Sequence, residues 1–114
     1  MKPALLLIAL TTACAAVCAQ GAGASAVEAG RAKAAACAVC HGQNGLSVTP
    51  DAPHLAGMPP IYVTAQLKAY RSGARKHEVM AVMARMLSDD DIQALAAWYA
   101  AIKVEATPPP APAR

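Results

Sequence analysis

The stretch Cys37-Ala38-Val39-Cys40-His41 decides how the rest of the chain is interpreted. Two cysteines separated by two residues, with a histidine directly after the second, form the pattern that attaches a c-type haem. On a helical turn, residues i and i+3 share one face with Cβ atoms roughly 5–6 Å apart, so both thiols can reach the two vinyl groups on one porphyrin edge. The motif therefore predicts one covalently bound haem c on Cys37 and Cys40, with His41 as an axial iron ligand.

Two other sites use paired cysteines, and both fit this chain less well. A structural zinc site needs a second pair of ligands, yet the remaining cysteines, Cys14 and Cys18, lie in a segment with the features of a secretory signal. A thioredoxin-like dithiol needs alternating strands and helices around it, and no convincing strand pattern is present. We therefore favour haem attachment over a zinc site, a redox disulfide or a chance match.

The N-terminus has the order of a secretory signal. Lys2 precedes an apolar run, and small residues lead to Val17-Cys18-Ala19, a pattern that predicts cleavage by signal peptidase after Ala19. The run is shorter than the roughly 20 residues of a membrane span. We expect a signal peptide at residues 1–19, a flexible Gly/Ala lead at 20–26 and a periplasmic protein that does not span the membrane. An N-terminal core helix and a lipoprotein anchor at Cys14 are the weaker alternatives.

Composition supports a small domain built around a prosthetic group. The chain has 114 residues, a single Trp and no Phe, so its own apolar core is expected to be thin. A buried porphyrin would supply apolar volume. The formal net charge of +3 does not suggest a nucleic-acid-binding protein.

The helical pattern predicts an all-α fold with three main helices and irregular loops around the haem. The first helix has Ser25 as a candidate cap in a capping box with Glu28, and it leads to Cys37. Residues 42–58 are rich in turn residues, and a backbone carbonyl of this loop could accept the second N–H of His41. We place the haem domain at 27–104 and a Pro-rich tail at 105–114.

The second and third main helices have clear boundaries in the sequence. The second starts near Pro59-Pro60, where proline suits the first turn, and ends at Gly73. The last has Ser88 as its cap and three aspartates in its first turn, where negative charge is stabilised.

Three methionines precede the last helix, namely Met80, Met83 and Met86. Their spacing is that of a core stripe, but methionine sulfur opposite histidine is also a common axial ligation of haem iron. Spacing alone leaves the choice among the three open. His54, a lone histidine in a loop, is a weaker ligand candidate.

A basic cluster lies at the end of the second helix: Lys68, Arg71, Arg75 and Lys76. Cations are favoured at a helix C-terminus by the helix dipole, so capping explains the cluster as well as a docking surface does.

Taken together, the motifs resemble those of class I cytochromes c, most closely the cytochrome c4/c553 branch, from about Val27 to Lys103. The motifs that carry the resemblance are Cys37-Ala38-Val39-Cys40-His41-Gly42, Pro53-His54-Leu55-Ala56-Gly57, Arg71-Ser72-Gly73-Ala74-Arg75, Met80 and Leu87-Ser88-Asp89-Asp90-Asp91-Ile92. The resemblance implies that Met80 is the second axial ligand and that the Pro53 carbonyl accepts from His41. It also implies that Gly30 packs against Trp98 or Tyr99. One departure is His54, at a position where lysine is frequent in such proteins.

The resemblance implies a periplasmic one-electron carrier that is not an enzyme, whose iron cycles between Fe(II) and Fe(III). Its partners would be periplasmic or membrane-bound redox proteins such as a dehydrogenase, oxidase or reductase. Two alternatives stay open. One is a haem c subunit of a dehydrogenase, flavocytochrome or oxidase complex, and the other is a five-coordinate haem that binds ligands.

Overall fold

The computed structural model describes the backbone of residues 14–111 and the side chains of residues 23–111. All regular structure in this range is helical, as expected for an all-α fold. Five helices lie within residues 14–111: α1 Cys14–Ala34, α2 Ala38–His41, α3 Pro60–Ser72, α4 Glu78–Arg85 and α5 Asp89–Ala101. The three longest are the three main helices of the prediction, and the methionine segment forms a fourth, shorter helix.

The start of α1 differs from the prediction. Residues 20–26 were expected to be a flexible lead ending at a Ser25 cap, but the backbone is helical without a break from Cys14 to Ala34. Alanine is the strongest helix former, and the alanine-rich composition outweighs the cost of about 1 kcal/mol for each internal glycine. Residues 1–13 of the predicted signal peptide lie outside the described residues, and cleavage after Ala19 stays a prediction.

The predicted start and end of α3 and the predicted start of α5 are confirmed. Pro60 occupies the first turn of α3, and Gly73 ends the helix in the left-handed conformation with φ 82°. Ser88 caps α5 in a capping box, in which its hydroxyl accepts from Asp91 N–H and the Asp91 carboxylate accepts from Ser88 N–H. Local sequence thus determines where these helices begin and end.

Helix α5 is the centre of the packing, because both α1 and α3 lie against it, and α4 packs on α3. The core cluster consists of Ala34, Leu95 and Tyr99. Among the side chains of residues 23–111, Ile92 and Leu95 are the only large ones that are fully buried. The expectation of a thin apolar core is confirmed for the described residues.

The remaining segments are irregular. The loop 42–59 has no helix of its own, and residues 105–111 of the predicted tail are exposed and without regular structure. None of the helices within residues 14–111 combines the length and apolar character that crossing a membrane requires.

Candidate haem-binding site

The two cysteines are held on one helical turn. Cys37 is the residue before α2, and its carbonyl accepts from Cys40 N–H at 3.3 Å and from His41 N–H at 2.9 Å. Both cysteines are free thiols, Cys37 half-buried and Cys40 exposed. The chain then reverses at Gly42, where φ is 80° and a Cβ atom would lie 2.2 Å from the Leu46 carbonyl oxygen. The turn therefore presents two thiols and the following imidazole together, with glycine required directly after them.

The imidazole of His41 is oriented by a backbone carbonyl. The side chain is 8% exposed, and its Nδ1 lies 2.8 Å from the carbonyl oxygen of Pro53. Because a carbonyl oxygen can only accept, Nδ1 carries the proton and donates it. The lone pair is then on Nε2, and a carbonyl partner on the other nitrogen makes imidazole a stronger metal ligand. The loop carbonyl expected near His41 is thus that of Pro53.

His54, the weaker ligand candidate, has another role. It is exposed, and its Nδ1 accepts a hydrogen bond from Ser47 N–H at 2.8 Å. Sequence reasoning missed the loop residues that hold this segment, because Ser and Thr in a turn-rich stretch are common and their partners depend on how the loop folds.

The three methionines differ in exposure. Met86 is 68% exposed, whereas Met80 and Met83 are half-buried. Met80 lies in the first turn of α4, where its backbone N–H donates to Nδ1 of His77, the N-cap residue, at 3.3 Å. Exposure disfavours Met86 as an iron ligand and leaves Met80 and Met83 as the half-buried candidates.

Tyr99 lies beside the attachment site. Its ring belongs to the core, and its buried hydroxyl has no conventional hydrogen-bond partner among the described residues. Burial raises the pKa of Tyr99 above its ordinary value, and the adjacent Cys37 thiol raises it further. Burial also raises the pKa of Cys37. The thiol and the phenol both therefore stay protonated at neutral pH, in an apolar setting.

These residues fit a covalently bound haem. The site offers two thiols one turn apart and a buried imidazole whose Nε2 is the metal-binding nitrogen. The half-buried methionines of α4 offer thioether sulfur, and histidine with methionine is a donor set typical of cytochromes c. The small protein core is consistent with a porphyrin supplying part of the apolar interior.

The basic cluster is largely engaged within the fold. Arg71 donates to the Leu87 carbonyl oxygen at 2.9 Å and forms an ion pair with Asp89, and Lys68 lies 3.8 Å from the same carboxylate. Arg75 donates to Gln66 at 2.6 Å and stacks 4.6 Å from the Tyr70 ring centroid. Of the two explanations left open by the sequence, the contacts favour a structural role, which joins α3 to the start of α5.

Comparison with known proteins agrees with this site. The family model described as cytochrome c matches residues 27–102. A thiosulfate dehydrogenase electron acceptor of Thiomonas intermedia is 42% identical over 82 residues, which cover 70% of this chain and 37% of that protein. Cytochrome c-554(548) of Halomonas halodenitrificans is 42% identical over 74 residues, 62% of this chain and 89% of that protein.

Cytochrome c4 of Pseudomonas aeruginosa is 40% identical over 76 residues, 67% of this chain and 38% of that protein. The chain thus spans less than two fifths of the Thiomonas and Pseudomonas proteins and most of the Halomonas one. Because the matched range runs from α1 to the end of α5 and contains the whole attachment turn, the chain belongs to the cytochrome c family, as a class I protein of the c4/c553 type.

Proposed function

We propose that this protein is a periplasmic one-electron carrier with a single haem c attached to Cys37 and Cys40 and with iron held by His41 and Met80. The observation that carries the proposal is the hydrogen bond from His41 Nδ1 to the Pro53 carbonyl oxygen, 2.8 Å long. A histidine that serves only as a core residue does not need its Nε2 kept free on the turn that carries two thiols. A histidine that binds iron needs a free Nε2 at that place.

The bound haem would supply an iron that alternates between the ferrous and ferric states. The chain's own residues hold this group in place. The Cys37 and Cys40 thiols would each form a thioether bond with the haem, which would prevent its dissociation. The Pro53 carbonyl keeps the His41 ring in one tautomer and orientation, and methionine sulfur as a ligand together with histidine would raise the reduction potential. No residue is assigned a catalytic role, because a carrier binds and orients its cofactor without transforming a substrate.

The partners of such a carrier are other redox proteins. The Thiomonas and Stutzerimonas relatives are named as electron acceptors of a thiosulfate dehydrogenase. By extension, we assign this chain a periplasmic or membrane-bound dehydrogenase, oxidase or reductase as its partner. Secretion is supported by the charged, apolar and small-residue order at the N-terminus. Mass spectrometry of the periplasmic protein is expected to find Gln20 as the first residue.

A potentiometric titration followed by absorption spectroscopy tests the carrier function. We expect one reversible one-electron transition, a six-coordinate low-spin spectrum in both oxidation states, and a weak sulfur-to-iron band at the red end of the ferric spectrum. The reduced protein should bind carbon monoxide slowly, because the sulfur ligand must first leave. A high-spin ferrous spectrum with rapid carbon monoxide binding would instead identify a ligand-binding haem protein.

A second candidate is a haem c subunit bound permanently to an enzyme. It is favoured by large apolar side chains at the surface, namely Val39, Val48 and Ile61, which are 87%, 97% and 82% exposed. An obligate interface buries apolar area and resists salt, whereas charge-based docking of a carrier weakens as ionic strength rises. Purification of the untagged protein from its native host in high salt distinguishes the two: a carrier elutes alone, and a subunit elutes with its enzyme.

A further inference from the structure

The loop that follows the attachment turn is held by hydrogen bonds of three side chains, two of which reach that turn. We call the three side chains that make these bonds, Ser47, Thr49 and His54, the loop clasp. They are not part of the donor set described above. What they hold in place is the segment that carries the Pro53 carbonyl.

The first half of the loop clasp joins the loop to Cys40. The Ser47 hydroxyl donates to the Cys40 carbonyl oxygen at 2.8 Å, and the Thr49 hydroxyl donates to the same oxygen at 2.9 Å. Ser47 Oγ also accepts from Thr49 N–H at 3.0 Å. Since Cys40 is bonded directly to His41, these contacts fix the start of the loop beside the imidazole.

The second half joins two positions within the loop, Ser47 and His54, to each other. His54 Nδ1 accepts from Ser47 N–H at 2.8 Å, and His54 directly follows Pro53 in the chain. The path is therefore closed: it runs from His41 through its hydrogen bond to Pro53, through His54 to Ser47, and through Cys40 back to His41.

We propose that Ser47 and His54 are positioning residues that hold the Pro53 carbonyl on His41 Nδ1 and thereby set the orientation and donor strength of the axial imidazole. The proposal rests on the proposed function, which makes His41 an iron ligand. Pro53 and Thr49 are exposed, as are the residues between them except the half-buried Ala52. The carbonyl of Pro53 is therefore not held by burial of its own residue. Each solvent-exposed hydrogen bond contributes little, so several acting on one short loop are needed.

The direction of the effect follows from the chemistry of imidazole. A carbonyl that accepts from Nδ1 makes Nε2 more basic, and a more basic ligand stabilises the ferric state more than the ferrous state. Loosening the loop weakens the Nδ1 hydrogen bond. The reduction potential should consequently rise, and the imidazole plane should rotate.

The test compares four variants of the holoprotein in one buffer at one pH. His54→Ala removes the acceptor of the Ser47 N–H, and Ser47→Ala removes the hydroxyl that donates to Cys40 and accepts from Thr49. His54→Asn keeps an acceptor, because Asn Oδ1 is as many bonds from Cβ as His Nδ1 is. Val48→Ala is the matched control, since Val48 lies between two loop-clasp residues and is 97% exposed.

Two properties are measured: the midpoint potential and the haem-methyl proton shifts of the ferric protein, which report the orientation of the axial imidazole. We expect His54→Ala and Ser47→Ala to raise the potential and redistribute the methyl shifts. His54→Asn should restore both toward the wild-type values, and Val48→Ala should change neither.

The proposal is overturned if His54→Ala matches Val48→Ala in both properties, or if His54→Asn changes them as much as His54→Ala does. Should His54→Ala fail to incorporate haem, Ser47→Ala takes its place in both comparisons. The proposal is then overturned if Ser47→Ala matches Val48→Ala in both properties, or if His54→Asn changes them as much as Ser47→Ala does. The wild-type spectrum tests the proposed function independently. A normal wild-type titration with unresponsive variants rejects the loop clasp alone, whereas a wild type without a histidine-ligated iron rejects the function.

Discussion

Gly30 of α1 and Ala94 of α5 touch backbone to backbone: a Cβ atom on Gly30 would lie 2.0 Å from the Ala94 carbonyl oxygen and 2.8 Å from Trp98 Cβ. No non-bonded carbon and oxygen atoms approach so closely, so only glycine permits this crossing. The expectation that Gly30 packs against Trp98 or Tyr99 is confirmed for Trp98. The crossing also places the end of α1, and with it Cys37, against the core.

Substitution of Gly30 by Ala should destabilise the protein by about 1–3 kcal/mol, the usual cost of overpacking. The obstacle is the main-chain carbonyl of Ala94, which cannot move aside by changing rotamer as a side chain can. Urea unfolding of the holoprotein, followed by circular dichroism, measures the loss. Gly23→Ala is the matched control on the same helix, because nothing lies within 4 Å of its added Cβ. It should be neutral or stabilise by up to about 1 kcal/mol, and equal losses in both variants would contradict the close crossing.

The Arg71–Asp89 and Lys33–Asp91 ion pairs make stability depend on acid pH. Hydrogen bonding from Arg71 lowers the pKa of Asp89, and hydrogen bonding from Lys33, 2.6 Å away, lowers that of Asp91. A carboxyl whose pKa is lowered on folding stabilises the protein above its unfolded pKa of about 3.9. That contribution is lost as the pH falls through the folded pKa.

Asp89→Asn should therefore lower the melting temperature at pH 7, and the difference from wild type should shrink as the pH falls below about 4. The Asp89 carboxylate is solvent-exposed, so the effect at pH 7 should be small and should weaken further in salt. Melting curves between pH 7 and pH 3 measure it. Asp90→Asn is the control, because Asp90 is in the same helical turn but forms no ion pair with the described residues. A pH-independent deficit in Asp89→Asn would contradict the linkage.

Single and double cysteine variants test covalent attachment. Each single change, Cys37→Ser or Cys40→Ser, should leave one thioether bond and one free vinyl group, which moves the pyridine haemochrome band to longer wavelength. The double variant should release all its haem into acidified organic solvent. Cys37→Ser should also cost more stability than Cys40→Ser, because Cys37 packs against the core whereas Cys40 is exposed. Haem that remains attached in the double variant would contradict the assignment.

The parts of the fold that the sequence predicts well are those decided by local chemistry. The attachment motif, the Ser88 capping box and the Gly73 helix end each depend on a few adjacent residues with strong preferences. Gly30 was predicted only through the family resemblance, since a glycine in a helix does not itself reveal which helix lies against it.

The parts that sequence analysis missed depend on where the chain folds back. The hydrogen bonds of Ser47, Thr49 and His54 join residues whose proximity arises only when the loop closes on Cys40. The role of the basic cluster was undecided because Arg71 and Asp89 lie 18 positions apart in sequence. At the start of α1, where a flexible Gly/Ala lead was expected, the helix propensity of the alanines exceeds the cost of the glycines.

The identity of the second axial ligand is the last prediction. Met80→Ala should abolish the sulfur-to-iron band of the ferric protein, speed carbon monoxide binding and lower the reduction potential by on the order of 0.1 V or more, within the roughly 0.8 V that axial ligands span. Met83→Ala is the matched control, because Met83 is one helical turn further along α4 and similarly half-buried. It should keep the band and change only stability, by about 2–5 kcal/mol if its side chain is well packed. Loss of the band in Met83→Ala with its retention in Met80→Ala would transfer the ligand assignment to Met83. Replacement of the exposed Met86 by Ala should change neither the band nor the stability.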